Sequence, residues 1–293
     1  MRYTSASRRA FQIGNGLFLL LLGVLCLVPV LNTLAISLSG SGAVAMGRVV
    51  FWPVDFTIES YKFIVNRPEF FQAFFVTCQR LVLGTVIQML MTFITAYPLS
   101  KERRDFRMRT VYVWFFVFTM FFGGGLVPWY LQIKSLGILN SIWALVLPGA
   151  VPVFNVILML NFFRGLPREL EESFFVDGAN HHHVLWRLYL PLSLPSIATI
   201  LLLTMVGNWN SWFDGMILMT HTDNYPLATY LRSVIVSFDF KNIRQEDVYL
   251  LSRISTRTSK CAQIIVAMVP ILLVYPFLQK YFISGLVLGS VKE

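Results

Sequence analysis

Apolar residues in this chain come in long unbroken blocks, not in alternation. From Ile13 it reads IGNGLFLLLLGVLCLVPVLNTLAISL, and five further blocks follow. A helix needs about 20 apolar residues to cross a bilayer, and it satisfies its own backbone while doing so. The pattern predicts six spans, at about 13–38, 71–99, 111–133, 142–163, 192–218 and 262–278. The fold class is therefore all-α: a polytopic membrane protein with six transmembrane helices, read as one transmembrane domain over residues 1–293. Ala43-Val44-Ala45 resembles a signal-peptide cleavage site, but the first block is too long for a signal peptide and five more follow, so it reads as an uncleaved anchor. Gly123-Gly124-Gly125 and Pro128 predict a bent or broken third span, with close helix packing as the reason.

Composition agrees with the pattern. The chain is 56% hydrophobic and 13% charged, against about 25% charged in soluble proteins. Its net charge of +9 comes with no basic run interleaved with aromatics, so topology explains it better than nucleic acid does. Arg2, Arg8 and Arg9 precede the first span. Lys101, Arg103, Arg104, Arg107 and Arg109 fill the link after the second. Arg164, Arg168 and Arg187 follow the fourth, and Lys280 and Lys292 follow the sixth. A chain weaving six times puts all four segments on one side, which the positive-inside rule makes the cytoplasm. Both termini are expected there. Cys26, Cys78 and Cys261 are odd in number, far apart and in or beside apolar blocks, as buried free thiols are.

Between the fourth and fifth spans stands EESFFVDGANHHHVLWRLYLP. A helical metal site wants ligands four residues apart on one face. The adjacent His181, His182 and His183 fan apart by about 100° per step, so no metal site is expected. Glu169, Glu171 and Glu172 follow Pro167, where acidic residues favour a helix N-terminus. The stretch reads as a short helix, a break at Gly178 and a second helix ending at Pro191.

That stretch resembles the Glu-Ala-Ala motif of permease subunits in ABC importers: three residues, Gly, nine residues, then Ile-x-Leu-Pro. Here Glu172, Ser173 and Phe174 open it, three spacers lead to Gly178, and nine residues from Ala179 lead to Leu188, Tyr189, Leu190 and Pro191. Ser173 and Phe174 replace two alanines, and Leu188 replaces Ile. The likeness extends through FVFTMFFGGGLVPWYL, WALVLPGAVPVFN, GNWNSWFDG and VYPFLQKYFISGLVLGSVK. It points to the carbohydrate-uptake branch, of the maltose-permease second-subunit type, and within it to the polysaccharide and lipopolysaccharide permease group.

The resemblance implies a type I ABC importer permease fold, with a coupling motif at about 165–191. It also implies a second permease subunit, two ATPase subunits and an extracytoplasmic solute-binding protein. Glu172 would pair with a basic residue of the ATPase and Gly178 would permit the bend. Asp177 could cap the second helix, and Ala179, Leu190 and Pro191 complete the coupling set. Phe174, Val184, Leu185 and Trp186 could pack on the ATPase or on the permease's own helices. The chain has no G-x-x-x-x-G-K-[ST] phosphate loop, so ATP and Mg are expected on the partner ATPase and no cofactor or catalytic residue on this chain. The cargo implied is an oligo- or polysaccharide; alginate or another anionic saccharide would suit.

Polar groups inside a bilayer are costly and point to function. GNWNSWFDG supplies Asn208, Trp209, Asn210, Trp212 and Asp214, and the fourth span supplies Asn155. On a continuous helix Asn208 and Trp212 share a face, as do Asn210 and Asp214. These residues either line a saccharide pathway or act as polar glue between helices and an interfacial belt. Arg80, near the outer end of the second span, either snorkels to the surface or offers a cation to an acidic cargo. The external loop at about 220–260 is either a docking element for the binding protein or a folded cap. Two other classes compete: a channel or secondary transporter without ATP, and a membrane enzyme acting on lipid-linked sugars. The coupling motif argues against the first. The second would need acidic, His or Ser groups clustered on one face, and none is evident.

Overall fold

A computed structural model describes residues 6–236 and 255–290. Every regular element among them is helical. The chain divides into two compact units, Met1–Pro68 with Ser233–Val269 and Glu69–Arg232 with Pro270–Glu293.

In the first unit, α1 (Ala6–Ser37) holds the first apolar block. Its stretch from Ala10 has mean hydropathy 2.5 over its most apolar window, with none of that window buried. Short helices α2 (Ser41–Ala45) and α3 (Glu59–Val65) follow. Ala35, Ile36, Ala43, Val44 and Val49 make a small core. The Ser37 and Tyr61 hydroxyls bond at 2.7 Å and tie α1 to α3.

The second unit is organised on α4 (Pro68–Ser100). Its buried residues include Phe70, Ala73, Thr77, Arg80 and Gly84, a stripe with helical spacing. Small and polar residues dominate it, which is how helices approach closely where lipid removes the hydrophobic incentive to associate. α5 (Arg109–Phe121) and α6 (Leu126–Ser135) form the third block and bend by 112° at the glycines. α7 (Ile142–Val146), a 3₁₀ turn and α8 (Val153–Arg164) form the fourth, bent by 45°. The motif supplies α9 (Arg168–Val176), α10 (His181–Val184), a π-helical turn at Leu185–Tyr189, and α11 (Leu190–Leu192). Pro191 has no N–H to offer the carbonyl of Arg187, and the turn before it widens.

The fifth block is α12 (Leu194–Asn210) and α13 (Phe213–Leu218), separated by extended Ser211. The face shared by Asn208 and Trp212 on one continuous helix is therefore absent, as is that of Asn210 and Asp214. α14 (Leu227–Val236) follows, and α15 (Thr256–Ser290) contains the sixth block. Among the described residues, two helices are long and apolar enough to cross a membrane alone, Ala10–Ser37 and Pro68–Ser100, and the count reaches five if each bent pair is one span. The core of the second unit gathers Tyr97, Met159, Phe163, Val184, Leu188, Tyr189 and Ile200, where α4 and α8 end and α12 begins.

Candidate functional site

The motif folds into an elbow. α9 ends in a Schellman turn: Ala179 N–H donates to the Phe174 carbonyl at 2.9 Å and Gly178 N–H to that of Phe175 at 3.0 Å. Gly178 has φ +81, a left-handed conformation that costs other L-residues roughly 1–2 kcal/mol. Asp177 is the C-cap of α9 and does not cap α10. Asn180 does so instead, its Oδ1 accepting from His183 N–H at 2.9 Å. Asn is among the best N-cap residues, and Asp177 lies three places too early.

Glu172, Ser173, Asp177 and Gly178 are exposed on the elbow. Ser173 Oγ donates to the Leu170 carbonyl at 2.9 Å. Phe174 and Ala179 pack against the core of the second unit, and Val184, Leu185 and Leu190 are buried. The ring at position 174 thus turns onto the protein's own helices. Trp186 stays 40% exposed. Phe174, Asp177, Gly178, Ala179, His183 and Arg187 line a groove of ≈ 290 Å³. Pro191 is exposed at the start of α11.

Behind the elbow lies a cluster that sequence reading missed. Lys101 follows α4 directly and forms an ion pair with Glu171 of α9; their side chains are 9% and 14% exposed. Tyr189 Oη donates to Glu171 Oε2 at 2.6 Å and accepts from Lys101 Nζ at 3.1 Å. The ammonium sits 3.9 Å from the Tyr97 ring centroid and 4.3 Å from that of Tyr189. Tyr97 Oη meets His181 Nδ1 at 3.0 Å, which joins this histidine to the cluster. Burial pushes the Lys101 ammonium below the usual lysine range, against the pull of Glu171. Glu102 is held below the ordinary carboxylate range by its hydrogen bond from Arg168, and both line a cleft of ≈ 680 Å³ together with Lys101, Glu171 and Tyr189. The only sequence signal was a tyrosine inside an apolar closing stretch. Nothing local to Lys101 named a partner 70 positions away.

The polar residues of the apolar blocks form a seam between helices. Asn155 Nδ2 on α8 donates to Thr204 Oγ1 on α12 at 2.9 Å. Asn208 Nδ2 donates to Gln88 Oε1 at 3.0 Å, and Gln88 Nε2 donates to the Gly149 carbonyl at 3.0 Å. Asn155 and Asn208 are therefore satisfied by neighbouring helices. Asn210 is exposed at the end of α12. Trp209 is buried, with its ring 6.0 Å from that of Phe74.

Arg80 neither snorkels nor stands free. It is 4% exposed and forms an ion pair with Asp214. Its Nη1 also donates to the Ser211 carbonyl at 3.3 Å, across the break in the fifth block. Asp214 Oδ1 further accepts from Ser211 Oγ and Gly215 N–H, each at 2.9 Å. Gly215 is needed there, because a Cβ would lie 2.3 Å from Thr229 Oγ1. Trp212 offers its ring to the Arg232 guanidinium at 3.8 Å. Of the loop at about 220–260, residues 237–254 lie outside the described part of the chain.

Bent and broken apolar helices, a seam of satisfied polar groups and an elbow between spans define a membrane-embedded permease with no catalytic constellation among the described residues. The family described as binding-protein-dependent transport system inner membrane component matches residues 83–287, and the chain belongs to it. It is 39% identical over 290 residues to Protein LplC of Bacillus subtilis (strain 168), covering 99% of this chain and 97% of that one. It is 36% identical over 275 residues to the polygalacturonan/rhamnogalacturonan transport system permease protein YtcP of the same strain, covering 94% and 96%. One chain in the crystal structure of a bacterial ABC transporter involved in the import of the acidic polysaccharide alginate matches with TM-score 0.87 and 33% identity, covering 96% of this chain and 100% of that chain.

Proposed function

We propose that this chain is a membrane-spanning subunit of an ATP-driven importer that moves an acidic oligo- or polysaccharide across the bacterial inner membrane. The likeness to the alginate importer chain, at TM-score 0.87 and 33% identity, carries the reading. The relative named for polygalacturonan, a polymer of uronic acids, supports the same cargo chemistry. The working assembly contains a second permease subunit, two ATPase subunits and an extracytoplasmic solute-binding protein. ATP and Mg belong to the ATPase subunits, and this chain performs no catalysis. Both termini and the motif face the cytoplasm.

α9 is the docking element for the ATPase. Glu172, Ser173, Asp177 and Gly178 are exposed along it and at its end, as a docking surface must be, and a short rigid helix seated in a partner's groove transmits rotation. The cargo passes beside the end of α12, where Asn210 is exposed and Trp212 half-buried. Asn155, Asn208, Trp209, Arg80 and Asp214 shape that route from behind. Co-expressed permease pair, ATPase and binding protein in proteoliposomes should take up labelled alginate or oligogalacturonate on addition of ATP. Neutral maltodextrin should not compete. Uptake that ignores ATP, or that maltodextrin abolishes, would overturn the reading.

A further inference from the structure

We propose that Lys101, Glu171 and Tyr189 are positioning residues that form the rigid link carrying movement of α9 into the transmembrane helices. This rests on the reading of α9 as the docking helix.

α9 has no buried residue. A helix lying on a surface rocks under load unless side chains fix it. Phe174 supplies an apolar contact, which resists separation but has little directionality. Arg168 reaches Glu102, but their side chains are 50% and 45% exposed, and exposed pairs hold little. Glu171 is different, because its side chain is 14% exposed and that of its partner 9%.

The three groups close a triangle. The Glu171 carboxylate accepts from both Lys101 Nζ and Tyr189 Oη, and Lys101 also donates to Tyr189 Oη. Each vertex belongs to a different part of the fold. Lys101 directly follows α4, Glu171 lies on α9, and Tyr189 ends the π-helical turn that leads through α11 to α12. A single bridge leaves two bodies free to pivot about it; a closed triangle fixes three separations together. The flanking rings of Tyr97 and Tyr189 hold the ammonium in place. Partial burial weakens the screening of these charges by salt.

Stability alone does not account for the arrangement. A buried ion pair roughly breaks even against apolar residues of the same volume. What it supplies beyond them is fixed direction, which a contact that transmits movement between α9 and the spans requires.

The test uses the assembled importer in proteoliposomes, with saccharide moved per ATP hydrolysed as the readout. Glu171→Gln and Lys101→Met should each lower that ratio about fivefold or more, in the range of typical coupling between sites. ATP hydrolysis without the binding protein should persist, while its stimulation by the loaded binding protein should fall, because that signal crosses the same link. The double variant should be no worse than either single one, because the link is already broken. Tyr189→Phe keeps the ring and removes only the hydroxyl; it should lower the ratio about twofold or more, one hydrogen bond's worth. An unchanged ratio in Tyr189→Phe and in whichever charge variants assemble overturns the link, as do losses that multiply in the double variant. If the charge variants fail to assemble, Tyr189→Phe alone decides. Failure of the docking reading looks different: Glu172→Arg would leave ATPase attachment untouched.

Discussion

Arg80 and Asp214 lie 134 positions apart and share a two-pronged ion pair at the break in the fifth apolar block. The pair does two things at once. It neutralises a guanidinium inside an apolar helix, and it fixes Ser211, whose carbonyl would otherwise be freed by the end of α12. Non-helical backbone at membrane depth survives only where protein or water satisfies it. Removing either partner leaves a buried charge unpaired, at about 3–5 kcal/mol. Arg80→Met and Asp214→Leu should each lower thermal stability and yield of the assembled permease. The double variant should recover much of the loss. Independent losses that simply add would show that the two side chains do not act as a pair.

Asn208 donates to Gln88, so its partner is a helix and not the cargo. Asn208→Ala should cost about 0.5–1.5 kcal/mol of stability for the bond, and somewhat more for the orphaned acceptor. Uptake per assembled complex should stay near normal. Asn210→Ala, at an exposed position, should do the reverse, sparing assembly and lowering uptake at limiting saccharide.

Gly178 holds φ +81. Gly178→Ala should strain the elbow by roughly 1–2 kcal/mol and reduce ATPase attachment. Asn180→Ala removes the α10 cap, worth about 0.5–2 kcal/mol, and should lower stability. Asp177→Ala should spare the cap. Equal loss of stability in Asp177→Ala and Asn180→Ala would reverse this assignment.

Orientation is open to labelling in a cysteine-free background. A cysteine at Asn224 should react with a membrane-impermeant maleimide in intact cells depleted of outer barriers. One at Asn180 should react only after the inner membrane is permeabilised. External reaction at position 180 would place the elbow on the wrong side for an ATPase.

Much of this was legible in the sequence because its determinants are local. Block length and composition specify membrane helices, the glycines at 123–125 interrupt one, and Gly178 ends α9 by a rule that needs only its neighbours. The break after Asn210 was not legible. GNWNSWFDG has no proline, and its central residues extend a helical pattern plausibly. What ends the helix there is accompanied by a partner far away, Arg80 on α4. The Lys101–Glu171–Tyr189 triangle was hidden for the same reason. The capping residue was misplaced within a legible motif, because Asp177 and Asn180 are both good caps and only the Schellman turn decides between them.

The sharp elbow between α5 and α6 has a consequence for the life of the chain before assembly. Gly123, Gly124 and Gly125 are exposed and donate no backbone hydrogen bond among the described residues. α5 buries none of its residues. Peptide groups left unsatisfied at membrane depth cost several kcal/mol each, so a bend placed there is costly until protein or water covers it. A neighbour that covers this bend removes the cost, so the chain is better housed in the bilayer assembled than alone.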